Sequence, residues 1–171
     1  SKSVNYAIDE SGCQIFNGAF ATTVTVNGYD VTTYNDGQPL VSTVHATTVP
    51  GGSTQSNASS TGIKIGHDNL EVARLALMRQ KTDNALAMGM AGKLTLITSL
   101  DNEKLAKEIF GSDLQPQNAN HAINVFKGPM DLVTSTFLDT TNGGLNTEWF
   151  LANLTMAKIY QVSRQEKRLE S

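Results

Sequence analysis

Three histidines, His45, His67 and His121, are the side chains best suited to metal binding or proton transfer at neutral pH. No second histidine or cysteine lies three or four residues from any of them, so none belongs to the pattern that places two ligands on one helix face. His67-Asp68 stands where a helix is expected to start and reads as local capping. His45 lies in an uncharged stretch, where an imidazole can donate to backbone carbonyls and stay neutral. Cys13 is the single cysteine, which excludes an intrachain disulfide and a thiolate metal cage and leaves a small buried apolar residue as its reading. The carboxylate pairs Asp9-Glu10 and Asp101/Glu103 have no apolar pocket implied around them, and the second pair suits a helix N-terminus, where partial positive charge favours acids. Gly51-Gly52 and Gly143-Gly144 are too short to cradle a phosphate and have no helix pattern after them. Gly89-Met-Ala-Gly92 precedes a strand, the wrong order for a nucleotide loop. No catalytic residue, cofactor site or metal site is read from the chain, and no enzyme is expected.

The stretch from Asp36 through His45 and Pro50-Gly51-Gly52 to Asn57 is informative for the opposite reason, its lack of charge. No lysine or arginine occurs between Lys2 and Lys64, and Asp30 and Asp36 are the only acids from Thr22 to Gly66. A neutral polar loop can lie against a neighbouring subunit without burying unpaired charge, so this composition suits assembly. The whole chain has 171 residues, 39% hydrophobic and 17% charged, with a formal charge of -3, and reads as one folded domain over 1–171. Its cations are spread from Lys64 onward, with Arg164-Gln-Glu-Lys-Arg168 as the one local cluster, which disfavours sequence-specific nucleic-acid binding. No apolar run is long enough to cross a bilayer. The start at Ser1 without methionine suggests a processed protein or an excised segment.

The elements that must position these residues are legible in outline. Val4 to Phe20 has helical apolar spacing interrupted by Gly12 and Gly18, as at the end of a helix. Thr22–Val26 and Val31–Tyr34 alternate around Asn27-Gly28 and predict a hairpin. Asn35-Asp36-Gly37 opens an extended neutral loop over 36–62, and Ile63–Ile65 reads as a short strand. Asp68 and Glu71 form a capping box for a helix from Leu70 to Asp83, with Leu70, Ala73 and Leu77 on one stripe and Val72, Leu75 and Met78 elsewhere, so that packing on more than one side is expected. After a connector over Ala85–Gly92, the strand Leu94–Thr98 and a helix capped by Ser99 or Asp101, running to Phe110, form a βα unit. Leu105/Ile109 and Ala106/Phe110 share its buried side. His121–Phe126, Leu132–Phe137, Glu148–Leu151 and Ala157–Val162 have strand character, divided by turns at Lys127-Gly-Pro129, Asn142-Gly-Gly144 and Asn153. The fold class is therefore α+β, a central, mainly antiparallel sheet flanked by two or three helices. Trp149 reads as a large structural anchor.

The order Asn17-Gly-Ala-Phe20, Asp36-Gly37 with Leu40, Ser42 and His45, Pro50-Gly-Gly52, Ser56-Asn57, then Met78, Gln80, Asp83, Leu105, Ala106, Ile109, Asn118 or Asn120 and Glu148-Trp-Phe-Leu151 resembles tailed-bacteriophage major capsid proteins of the Mu-like head type. Asp-Gly-x-x-Leu-x-Ser-x-x-His is the most specific piece. The resemblance implies the tailed-phage capsid fold, with an axial domain, part of the peripheral domain and, at 1–20, the end of the long spine helix. It implies a structural subunit that self-assembles into hexamers and pentamers of a shell enclosing DNA, found in the virion and, during assembly, in the host cytoplasm. Implied partners are identical capsid subunits, scaffolding protein and portal, with only non-specific contact with packaged DNA and no membrane. The chain departs from the family in lacking the N-terminal arm and extended loop, and in Thr98-Ser99-Leu100 where a proline turn is expected. Under this reading the subunit contacts are Asp36, Gly37, His45, Gly51, Gly52, Asn57, Asn142, Gly143 and Gly144, supported beneath by Trp149. The alternative is a threonine-rich extracellular adhesin or carbohydrate-binding β module, which would be a two-sheet sandwich without helices.

Overall fold

The computed structural model describes residues 2–32, 36–47, 50, 52–59, 62–82, 84, 86–87, 92–115 and 122–154. The expected strand Ala157–Val162, the basic cluster Arg164–Arg168, Gly51 and His121 fall outside these residues. The helix α1 runs over Lys2–Asn17 and passes through Gly12 without a break. A single interior glycine costs a helix only about 1 kcal/mol, which packing overrides. The helix ends at Gly18, where a Cβ would stand only 2.5 Å from the Val24 side chain. That close approach lets the hairpin β1 (Thr23–Val26) and β2 (Tyr29–Thr32) lie against the helix end. Asn27 and Gly28, at φ 50° and 81°, make its two-residue turn.

The second sheet has three strands in the order β4–β3–β5, with β3 at Leu94–Ser99, β4 at Met130–Ser135 and β5 at Trp149–Ala152. Two of the three strand pairs among the described residues are antiparallel, β1 with β2 and β3 with β5. The pair β3–β4 is parallel, so the central sheet is mixed. Parallel neighbours need a crossover, and α3 (Glu103–Gly111) supplies it, which extends the expected βα unit to βαβ. The three helices and the mixed sheet give an α+β fold and exclude the helix-free sandwich of the alternative reading.

Register sorts the side chains into layers. Leu94 and Leu96 stand beside Met130 and Leu132 on one neighbour and Leu96 beside Leu151 on the other, and these pack with Leu70 of α2 (His67–Met78) and with Ala106 and Ile109 of α3. The opposite face carries Ile97 beside Phe150, whose ring lies 5.2 Å from that of Phe16 in α1. Helices therefore cover both faces, and all six residues of β3 are buried.

Several expectations differ from the structure in instructive ways. Ile63–Ile65 is irregular, because Ile65 is drawn into the core while the Ile63 carbonyl accepts from Trp149 Nε1 at 2.9 Å. No capping box forms at α2. Gly66 occupies the N-cap with no side chain bonding there, and Glu71 turns forward to Arg74, at 2.7 Å to both Nε and Nη2. The helix stops at Met78, with Val72 and Met78 exposed, so one face packs and not several. Neither Ser99 nor Asp101 caps α3; a 3-10 turn over Leu100–Asn102 intervenes and Asn102 takes the N-cap position without a side-chain cap bond. Over 122–126, the described part of the expected strand His121–Phe126, there is a single bridge between Leu114 and Ile123, because Asn124 is occupied with irregular backbone, donating to the carbonyls of Ile109 and Ser112 and accepting from Phe126 N.

Leu96 is fully buried at the centre of this arrangement. Leu96→Ala is expected to cost about 2–5 kcal/mol through lost transfer energy and the remaining cavity, read as a lower denaturation midpoint with an unchanged denaturant slope.

Candidate functional site

The neutral loop is shaped by one aspartate, one histidine and one asparagine. Gly37, at φ 76°, lets the chain turn so that Gln38 N donates to Asp36 Oδ1 at 2.9 Å. The other carboxylate oxygen lies 2.9 Å from His45 Nδ1. The far ring nitrogen, Nε2, lies 3.3 Å from Asn57 Oδ1. Asn57 in turn accepts from Ser42 N and donates to Leu40 O, both at 2.8 Å, while its own N–H reaches Ser42 O at 3.0 Å. A two-bond bridge between His45 and Gln55 closes the loop. His45 thus meets a carboxylate and a side-chain amide, where the sequence had suggested backbone carbonyls.

The loop is fastened at two further places. Val41 N donates to Ala19 O just past α1, and Gln55 bonds both Thr82 O and Lys81 N beyond α2. Gly52 is exposed.

Asn142, Gly143 and Gly144 form a second cluster, and they are not equivalent. Asn17, the last residue of α1, donates through one Nδ2 to Phe137 O at 2.8 Å and Asn142 O at 2.9 Å. Asn142 Nδ2 donates to Thr136 O, and Gly143 closes the turn at φ 86°. Gly144 is buried, and a Cβ there would stand 2.1 Å from Leu138 O and 2.7 Å from Asn17 Oδ1. It is a packing glycine, with no surface to offer. Both clusters therefore hang from the same helix end. Trp149 packs against the core, and its Nε1 donates to Ile63 O ahead of α2.

Burial alone would raise the Asp36 carboxyl, but hydrogen bonds from Gln38 N, His45 and Ala46 N and the charge of His45 outweigh it and hold the group below the ordinary carboxylate range. The sign follows: the bonds to Asp36 stabilise the fold above the usual carboxylate range, and that contribution is lost as pH falls through the lowered value. Burial pushes the Cys13 thiol up, against its bond to Ser135 Oγ, so a thiolate nucleophile is disfavoured. Burial likewise raises Glu148. Among the described residues no three His, Cys, Asp or Glu side chains gather as metal ligands, and no helix is long and apolar enough to cross a membrane. The open groove between α3 and β4 is rimmed by Glu103 and Lys107, which bond each other.

Two contributors escaped the reading of the sequence as sites. Asn17 and Gln55 each tie segments far apart in the chain, and the one local sign was asparagine at a helix end before Gly18. Gly144→Ala is expected to destabilise the fold by about 3 kcal/mol or more, at the upper end of overpacking costs because a backbone carbonyl blocks the methyl, whereas Asn142→Ser stays milder. Equal thermal midpoints for Gly144→Ala and the parent chain would contradict this packing.

A family profile described as "Phage capsid protein" matches residues 14–168. No curated protein and no solved structure matches the chain.

Proposed function

The chain belongs to the phage capsid protein family, a structural family of bacteriophage, and from that premise we propose that it is a subunit of the Mu-like major head type, comprising an axial domain with part of the peripheral domain. Its copies assemble into hexamers and pentamers of an icosahedral shell around DNA, with scaffolding protein and portal as further partners. The product resides in the virion. The observation that carries this reading is the match over residues 14–168, nearly the whole chain. Contact with packaged DNA is non-specific in this reading, since the cations are spread along the sequence from Lys64 onward.

The contact surfaces in this proposal are the outer faces of the two clusters. Asp36, His45 and Asn57 shape the first loop from within, and its exposed residues, Thr43, Val44, Gly52 and Thr54 among them, meet the neighbour; Gly51 belongs to the same loop by sequence. At the second cluster Thr140, Thr141, Asn142 and Gly143 are exposed and Gly144 supports them from below. Neutral composition is the physical reason, because such surfaces dock without leaving charges unpaired.

Charged replacements at exposed positions separate contact from folding, which changes at Gly144 would not. Thr54→Arg and Thr141→Arg, made in the intact subunit, are expected to leave stability within about 0.5 kcal/mol and to abolish closed shells in electron micrographs. Normal shells from both variants would remove these loops as contact sites while leaving the family membership untouched.

A further inference from the structure

Glycine follows asparagine at three places, Asn17-Gly18, Asn27-Gly28 and Asn142-Gly143. Such a pair can lose ammonia, because a glycine nitrogen has no neighbouring Cβ to obstruct its approach to the preceding side chain. In a folded chain two conditions govern the reaction. The glycine nitrogen must come free of its hydrogen bond, and the backbone must let it swing round to the asparagine Cγ. At Asn17 the bonds forbid it: Gly18 N donates to Gln14 O at 3.1 Å, and Asn17 Nδ2 is held by Phe137 O and Asn142 O at 2.8 and 2.9 Å. At Asn27 the backbone forbids it. With φ at 50° the residue is left-handed, so Cβ stands by the following carbonyl oxygen and the glycine nitrogen is turned to the opposite side. Two bonds to α1 fasten that turn, from Asn27 Nδ2 to Ser11 Oγ at 2.7 Å and from Asn27 N to Gln14 Oε1 at 3.1 Å.

The restraints at Asn142 are slighter. Gly143 N reaches Thr140 O at 3.4 Å, longer than the usual range, and the side chain is held by one bond, from Nδ2 to Thr136 O at 3.0 Å. Rotation of the peptide also gives up the contact of Asn142 O with Asn17 Nδ2, the exposed one of that nitrogen's two bonds. Asn142 and Gly143 are both exposed, and Asn142 lies in a 3-10 turn, outside the left-handed region.

We infer that Asn142-Gly143 is a modification site, at which the folded chain loses ammonia and gains a carboxylate with water as the only reagent. Gly143 N gives up its proton and attacks Asn142 Cγ. The new N–Cγ bond closes a succinimide ring, and the side-chain nitrogen departs as ammonia with the transferred proton. Water then opens the ring. Attack at Cγ breaks the new bond and leaves aspartate. Attack at the main-chain carbonyl carbon breaks the original bond to Gly143 and leaves isoaspartate, whose backbone runs through Cβ and Cγ and is one atom longer. Either product loses the donor that held Thr136 O and gains a charge among the exposed residues 140–143, which carry none. For the contact surface proposed above, and resting on that reading, a modified subunit docks at a desolvation cost that the parent surface does not have.

Peptide mapping by mass spectrometry tests the site on the 171-residue chain, aged unassembled in mildly alkaline buffer made with heavy-oxygen water, which labels each new carboxylate. Dividing each rate by that of the same pair in concentrated urea cancels the influence of flanking residues. The ratio at Asn142 is expected to exceed those at Asn17 and Asn27 by about tenfold, the factor that one extra hydrogen bond to open sets. Asn142→Gln is expected to abolish labelling at that position and to leave the other two pairs unchanged. Equal ratios at the three pairs, or a larger one at Asn17 or Asn27, overturn the inference. The readout is a mass on the unassembled chain, so its failure leaves the assembly role untouched.

Discussion

The central strand sets the terms for everything around it. All six residues of β3 are buried, and three of them, Thr95, Thr98 and Ser99, carry hydroxyls. A strand buried on both faces must be covered twice, which α2 and α3 do on the Leu94–Leu96 side and the end of α1 does across Ile97 and Phe150. It must also satisfy its polar groups internally. Thr98 Oγ1 donates to Glu148 O and accepts from Asn102, Asn102 bonds Asn146 O, and Asp139 accepts from Leu100 N. The end of β3 thereby dictates where the 139–148 turn lies. The turn is placed by the core, and its exposed face is a by-product of that placement.

The same logic extends outward through α1. Its last residue, Asn17, holds Phe137 and Asn142, and two residues on, Ala19 receives Val41 from the neutral loop. One helix end thus organises two loops that are otherwise unrelated in sequence. Side-chain amides fix the shape of both loops, in a part of the chain where charge is scarce. Amide pairs are directional and carry no net charge, so they shape a surface without adding a desolvation cost that a docking partner would inherit.

Sequence periodicity revealed the elements whose burial follows a simple rule. The hairpin around Asn27-Gly28, the strand at Leu94 and the helix carrying Ala106 and Ile109 were legible because their patterns are local. The parallel pairing of β3 with β4 was not, since Leu94–Thr98 and Leu132–Phe137 look alike in either direction and only the crossover decides. Asp68 and Glu71 misled for a physical reason: their spacing permits a capping box, but Arg74 offers Glu71 a charged partner that a backbone amide does not match. At the candidate site, Asp36-Gly37 announced its turn through the glycine. The partnership of Asp36, His45 and Asn57 spans up to 21 positions of loop with no periodic signal, so their common purpose appears only in three dimensions.

The bonds at Asn17 join residues 120 and 125 positions apart. A growing chain emerges from its N-terminus, so α1 is complete long before Phe137 and Asn142 exist to receive it. The turn at Thr136–Gly144 therefore takes its final form only once residues far apart in the chain have met. Long-range closure of this kind slows folding because entropy is lost before contacts repay it. A chain that has not yet reached Asn142 cannot give that turn its finished shape.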